Sequence, residues 1–334
     1  MTDITPHPLE IVPDGEADNI EKVTSIQLDI MKNAQDPHKR GQHPKTQALL
    51  RGAFEISGNV PDKMRVGIFS KPRKYEALVR FSTGLNPNDG APQAHGCAIK
   101  LLDVEDSPTG TQDFILIDQP TFFVSNVADY VSLFEAIQGG CPHAFYASHQ
   151  KEFGLQQSFN VVVSSHVDRQ YWEELPIAMG ESAGRLTLVP DVTNGFEWPA
   201  ASSVDGLKDA AVEYFVAQRR SAKYSFAIQP YVDESATPIE DGTAVWGTPF
   251  EEVATLTLPA QDFTAPEQYA FGENLSYSPW HCHPEHQPLG GIQRCRKRVY
   301  EESQRLRHTL NGVEQKEPTL ADLASLGAAF NEAA

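Results

Sequence analysis

The sequence predicts an α+β fold: an antiparallel β-barrel of about eight strands, closed or nearly closed, with helices gathered beside it. Three observations carry this. Short apolar or alternating runs broken by Gly, Pro, Asn and Asp fill the chain from about residue 52 to 258. They show neither strict strand–helix alternation nor an internal repeat, which leaves an antiparallel barrel as the economical architecture. The last third is charged and periodic, as helices packed on such a barrel would be.

In chain order, residues 1–15 are rich in Pro, Asp and Glu and read as a loose arm. Ile20, Val23, Ile26, Ile30 and Met31 then recur at helical spacing and predict an amphipathic helix. Strands are expected at 65–69, 77–82, 96–102, 113–118, 160–166, 185–189, 223–229 and 253–258. Helical patterns fall at 126–138, bounded by Asn126 and by Gly139 and Gly140, and around 205–218. A charged helix covers 291–310, and Thr319 with Asp322 resembles a capping box opening a last helix over 319–331. The expected organisation is an N-terminal arm and helix, 1–36, followed by a single domain, 37–334.

With 334 residues the chain can bury a core without disulfides or metals. Its 45 acidic against 27 basic residues give a net charge of −18, which argues against nucleic acid or an anionic membrane and points to a small-molecule partner. Cys97, Cys141, Cys282 and Cys295 form no CxxC pair and are expected as free thiols of a reducing compartment. The first residues lack the charged and apolar parts of a signal peptide, and no apolar run of about 18 residues follows. A cytoplasmic protein without membrane insertion is expected, and a homodimer is a permitted assembly.

The chemistry concentrates near the C-terminus. Tyr300 lies among Arg296, Lys297, Arg298, Arg305 and Arg307. Neighbouring cations favour the charged form of an acid, so this is a setting for a phenolate. A phenolate is above all a ligand for ferric iron, and tyrosine is one of the proximal haem ligands. Steps of four and seven residues put Arg296, Tyr300 and Arg307 on one helix face, with Arg305 elsewhere. Upstream, Arg40, Gln42 and His43 precede the first strand, and a histidine there is a candidate acid/base group. Arg80 and Ser82 alternate with Phe81, placing a cation and a hydroxyl side by side on one strand face. A competing constellation is Trp280 to His286, with three histidines, Cys282 and Glu285; it could bind zinc, although its spacing fits neither finger nor HExxH patterns and Pro284 stiffens it. A nucleotide cofactor has no support from a Walker A loop or GxGxxG.

In order, over roughly residues 37 to 310, these segments resemble the haem catalase superfamily, in its shorter catalase-related branch of peroxidases and allene oxide synthases. Arg40 and His43 resemble the distal-histidine motif; Arg80, Phe81, Ser82 and Thr83 the strand that follows; and His95 to Lys100 the family's Arg-Gly-Phe-Ala-Val-Lys strand. Asp113 to Phe123 is similar to the Trp-Asp-Leu-Val-Gly-Asn-Asn-Thr-Pro-x-Phe-Phe segment, and Glu267 to Phe271 with Arg296, Tyr300 and Arg307 to the proximal region. The resemblance implies a catalase-like barrel with haem b, its iron bound by Tyr300 and the phenolate stabilised by Arg296. It places His43 on the opposite face, oriented by Ser82, with Arg40, Arg80 and Arg307 on the propionates and Phe122 and Phe123 lining the pocket. Two departures bear on reactivity. The alignment puts Asp118 where the family has a distal asparagine, and burial could keep its carboxyl protonated and donating. Gln42 replaces a small aliphatic residue and is expected to hydrogen-bond His43. The chain is also shorter than a full catalase, which implies a wider entrance.

The activity so implied is cleavage of the O–O bond of organic hydroperoxides or hydrogen peroxide: a peroxidase using an organic electron donor, with weak catalase activity. A fatty acid hydroperoxide isomerase or dehydratase resembling allene oxide synthase is the alternative, and a non-catalytic haem-binding protein the second.

Overall fold

The computed structural model describes residues 5–33, 38–324 and 326. Nine strands form one antiparallel sheet: β1 (Lys45–Ile56), β2 (Lys74–Thr83), β3 (His95–Leu102), β4 (Thr111–Ile117), β5 (Tyr171–Trp172), β6 (Ile177–Met179), β7 (Ser182–Pro190), β8 (Ala222–Pro230) and β9 (Glu251–Leu258). Their order is β5-β4-β3-β2-β1-β9-β8-β7-β6, and a pairing of β5 with β7 closes eight of them into a barrel, with β6 hanging on β7 as a hairpin. Closure removes the exposed edges that an open sheet would present.

Alternation decides which side chains fill the barrel. Val79 and Phe81, Cys97 and Ile99, and Phe114 and Leu116 point inward with Leu186, Leu188, Phe226 and Leu256. Phe54, Phe114 and Phe226 meet at its centre, with Phe226 centroids 5.0 Å from Phe54 and 4.8 Å from Phe114. Each such buried ring contributes roughly 1.5–3 kcal/mol of hydrophobic stabilisation.

The outer face of β1–β4 is buried as well. Leu49, Leu78 and Leu102 pack against Leu275, Tyr277 and Leu323. Among the described residues eight helices flank the barrel: α1 (Glu16–Lys32), α2 (Val127–Gln138), α3 (Pro142–Tyr146), α4 (Gln150–Ser158), α5 (Gly206–Val212), α6 (Pro266–Asn274), α7 (Gly291–Asn311) and α8 (Leu320–Ala324). Val23 and Ile26 of α1, Tyr130 and Phe134 of α2, and Ile292, Cys295 and Val299 of α7 form a second core. The Asn126 side chain caps α2 by accepting from the Asp129 N–H at 3.0 Å. The start of α7 is fixed by Arg294, which pairs with Glu10, Glu16 and Glu240. None of the described helices is long and apolar enough to cross a membrane.

Several expected elements differ. The run 65–69 is a tight turn, Gly67–Phe69, entered through Gly67 at φ 49°. The run 160–166 makes only an isolated bridge, Gln93 with Val161. The helix around 205–218 is α5 followed by a wider turn over Glu213–Ala217. Of the last helix, Leu320–Ala324 is seen, with Asp322 accepting from the Thr319 N–H at 2.8 Å; 325 and 327–331 lie outside the described residues.

Candidate functional site

Strand register sets out the site on the outer face of β1–β4. Residues paired across an antiparallel sheet point the same way. One row runs Thr46, Ser82, Gly96, Ile117, Trp172 and the next Leu49, Arg80, Ala98, Ile115. Arg80 and Ser82 therefore share the outer face.

His43 lies over Gly96. A Cβ built there would meet Ser82 Oγ at 2.8 Å and His43 Nδ1 at 2.9 Å, so the missing side chain makes the niche that both occupy. His43 Nδ1 is buried without a hydrogen-bond partner among the described residues. The residue adopts φ 47°, a left-handed conformation costing about 1–3 kcal/mol, and Arg80 Nη2 holds it by donating to the His43 carbonyl at 2.8 Å. Burial, reinforced by the charge of Arg80 and opposed by Asp118, pushes the imidazole down to about 4, so it is a neutral base at pH 7.

Beside it lies an arginine cluster. Arg40 donates to the carbonyls of Gly272 (2.8 Å) and Leu275 (2.6 Å), and Arg307 to those of Glu273 and Leu275. These carbonyls end or follow α6, where the helix dipole favours cations. Glu273, 3.6 Å from Arg40, is the one carboxylate that ion-pairs with any of Arg40, Arg80 and Arg307 among the described residues, and it pairs with Arg40 alone. Burial, then the charge of Arg40, pushes both Arg80 and Arg307 down to about 9. Guanidinium groups keep their protons in proteins, so the cluster is an excess of positive charge suited to a multiply charged anion.

On α7, Arg296 Nη2 donates to the Tyr300 hydroxyl at 3.3 Å while its Nη1 donates to Glu173 at 3.1 Å. Burial opposes the charge of Arg296, but Tyr300 and Glu173 hold its affinity for the proton above the usual range. Glu173, directly after β5, also accepts from the Ile115 N–H at 2.9 Å and so ties β4 to α7. The sequence reading missed Glu173. Its signal was an acidic pair, Glu173 and Glu174, inside an otherwise apolar stretch.

No protein-family profile matches this sequence, and no curated protein matches it. Solved structures do. A fungal catalase aligns with TM-score 0.62 and 18% identity over 84% of this chain and 61% of its own. A bacterial catalase gives 0.62 and 14% over 98% and 69%, and catalase A from Saccharomyces cerevisiae 0.60 and 15% over 95% and 72%. This chain has the catalase fold. It spans between 61% and 72% of the length of these three structures.

Within this catalase fold the remaining sequence-predicted residues sort as follows. Phe122 and Phe123 stack at 4.3 Å in the helical core that includes Val299 of α7. Asp118 does not face His43. It follows Ile117 by one residue, and that step turns it to His95, whose N–H and Nδ1 lie 2.9 and 2.8 Å from its oxygens, and to Arg169 at 3.0 Å. Burial alone would raise its carboxyl, but His95 and then Arg169 outweigh it and hold the group below the usual range, so it is an ionised acceptor and not a protonated donor. Gln42 is exposed, and among the described residues no hydrogen bond joins it to His43. Of the histidines of the 281–286 loop, His281 stands apart and approaches Asp113 and Glu317, whereas His283 and His286 are neighbours with centroids 5.7 Å apart, their Nδ1 and Nε2 accepting from the Glu285 and Ile68 N–H groups. Among the described residues no group of three or more His, Cys, Asp or Glu side chains is placed to hold an ion.

The residues present fit haem in two respects: a tyrosine hydroxyl bonded to a buried arginine, and three arginines with one carboxylate among them.

Proposed function

We propose that this protein binds haem b between α7 and the outer face of β2–β4 and cleaves the O–O bond of hydroperoxides, as a peroxidase using an organic electron donor. The observation that carries this is the coexistence, on a catalase fold, of the Arg296–Tyr300 pair with the half-buried, neutral His43. Tyr300 would ligate the iron, and Arg40, Arg80 and Arg307 would bind the propionates. Bound haem would supply an iron centre that takes the peroxide oxygen and stores the oxidising equivalents. His43 would accept the hydroperoxide O–H proton and return it to the leaving oxygen, so that an alcohol or water departs. Ser82, sharing the niche over Gly96, would orient the ring by packing beside it, since no hydrogen bond joins the two among the described residues. The organic donor would supply two electrons and two protons, which balances reduction of the hydroperoxide to an alcohol and water.

The experiment is turnover of cumene hydroperoxide with an oxidisable phenol by haem-loaded wild type and His43→Ala. The variant should keep haem and lose about 10²- to 10⁴-fold, the usual worth of a positioned acid/base. Undiminished turnover would remove His43 from the mechanism, and product formed without donor consumption would indicate an isomerase.

A further inference from the structure

The niche is polar on one side only. Gly96, beneath His43 and Ser82, pairs on its other side with Ile117, so Ile117 is the side chain next to the imidazole away from Ser82. In the neighbouring row Ala98 pairs with Ile115. These are the single positions within β3 and within β4 that are only half-buried, at the edge of the cluster of Leu49, Leu78 and Leu102; with Ile117, 8% exposed, they make an apolar floor beside His43. The polar residues that follow Ile117 are engaged elsewhere. Asp118 is held by His95 and Arg169, and Gln119 exchanges hydrogen bonds with Ser158 at 2.7 and 3.2 Å.

Hydrogen peroxide carries two O–H groups, whereas an alkyl hydroperoxide carries one and a hydrocarbon group in place of the other. We infer that Ile117, with Ala98 and Ile115, makes this site select alkyl hydroperoxides over hydrogen peroxide, an inference that rests on the function proposed above. His43 meets the one O–H that both substrates share. The apolar floor receives the alkyl group. Hydrogen peroxide in the same pose sets its second O–H against Ile117 with no partner, and an unmade hydrogen bond of this kind discriminates by about 10- to 100-fold. Ile117 is thus a specificity-determining residue, and the lack, among the described residues, of a second donor beside His43 is what sets the preference.

The test uses the full chain loaded with haem. The ratio of kcat/KM for cumene hydroperoxide to that for hydrogen peroxide is measured for wild type, Ile117→Asn and Ile117→Val, with the Soret band as a check that haem is held. Ile117→Asn should move the ratio toward hydrogen peroxide by about tenfold or more, and Ile117→Val should leave it within about twofold. In parallel, methyl NMR of the wild-type chain without haem, titrated with cumyl alcohol, should perturb the Ile115 and Ile117 methyls. An unchanged ratio in haem-bearing Ile117→Asn, or cumyl alcohol that leaves both methyls unmoved, overturns the inference while the proposed function stands. Wild type that binds haem and cleaves neither peroxide overturns both.

Discussion

Gly96→Ala should damage the site more than its single added methyl suggests. The new Cβ would lie 2.8 Å from Ser82 Oγ, 2.9 Å from His43 Nδ1 and 3.2 Å from His43 Cε1, where ordinary contact begins near 3.4 Å. Both side chains must therefore give way by about half an ångström, and neither does so freely. Ser82 is 2% exposed, and the His43 backbone is held in its left-handed conformation by Arg80. Overpacking of this kind costs about 1–3 kcal/mol of stability, and moving a reacting group by about 1 Å costs on the order of 10² in rate. The control is Gly154→Ala in α4, where an added Cβ meets nothing within 4 Å; there the substitution should be neutral or stabilise by about 0.5–1 kcal/mol. The assays are thermal unfolding of both variants and their turnover of cumene hydroperoxide after haem loading. If Gly96→Ala matches Gly154→Ala in stability and wild type in turnover, the niche over Gly96 is not where the imidazole works.

Three further outcomes are expected. Glu173→Ala leaves buried Arg296 without its carboxylate, and breaking a buried pair from one side costs about 3–5 kcal/mol in denaturant unfolding; a loss under about 1 kcal/mol would show the bridge between β4 and α7 to be idle. Lys100, fully buried against Asp113 and Glu317, should behave alike: Lys100→Met strands two carboxylates, with a similar loss and faster amide exchange around Leu323. His43 and His286 are each pushed by burial down to about 4 from 6.5. As pH falls below 6.5 the unfolded chain takes up these protons first, so stability is complete above 6.5 and lost toward 4, by about 3 kcal/mol per histidine at most. Asp118, held low by His95 and Arg169, works in the same sense at still lower pH. Urea midpoints that do not fall between pH 7 and pH 5 would contradict this.

The barrel was legible wherever alternation was clean. Strands β2, β3, β4, β7, β8 and β9 fall close to the expected runs because their inward residues are large and apolar. Strand β1 was not read because it has few exposed positions and a bulge between Thr46 and Ala48, so polar residues do not mark an outer face. Strands β5 and β6, two and three residues long, carry no period, yet β5 closes the barrel. Gly67 turns the apolar run at 65–69 into a corner. The clearest lesson is at 117 and 118. Side chains alternate with a period of two, so a shift of one residue exchanges the face toward His43 for the face toward His95. The sequence marked Asp118 as chemistry, and register assigns the adjoining position to Ile117. Tyr300, Arg296, Arg40, Arg80 and Arg307 stood out as candidates because cations gathered around few acids are conspicuous in a chain of net charge −18. Glu173 was not, since its partner Arg296 lies 123 residues away.

The most direct measurement is the absorption spectrum of wild type and Tyr300→Phe after addition of haem. Wild type should give a Soret band with the charge-transfer features of high-spin ferric phenolate, and Tyr300→Phe should lose those features. A wild-type chain that gives no Soret band, or two spectra that coincide, would contradict haem ligation by Tyr300.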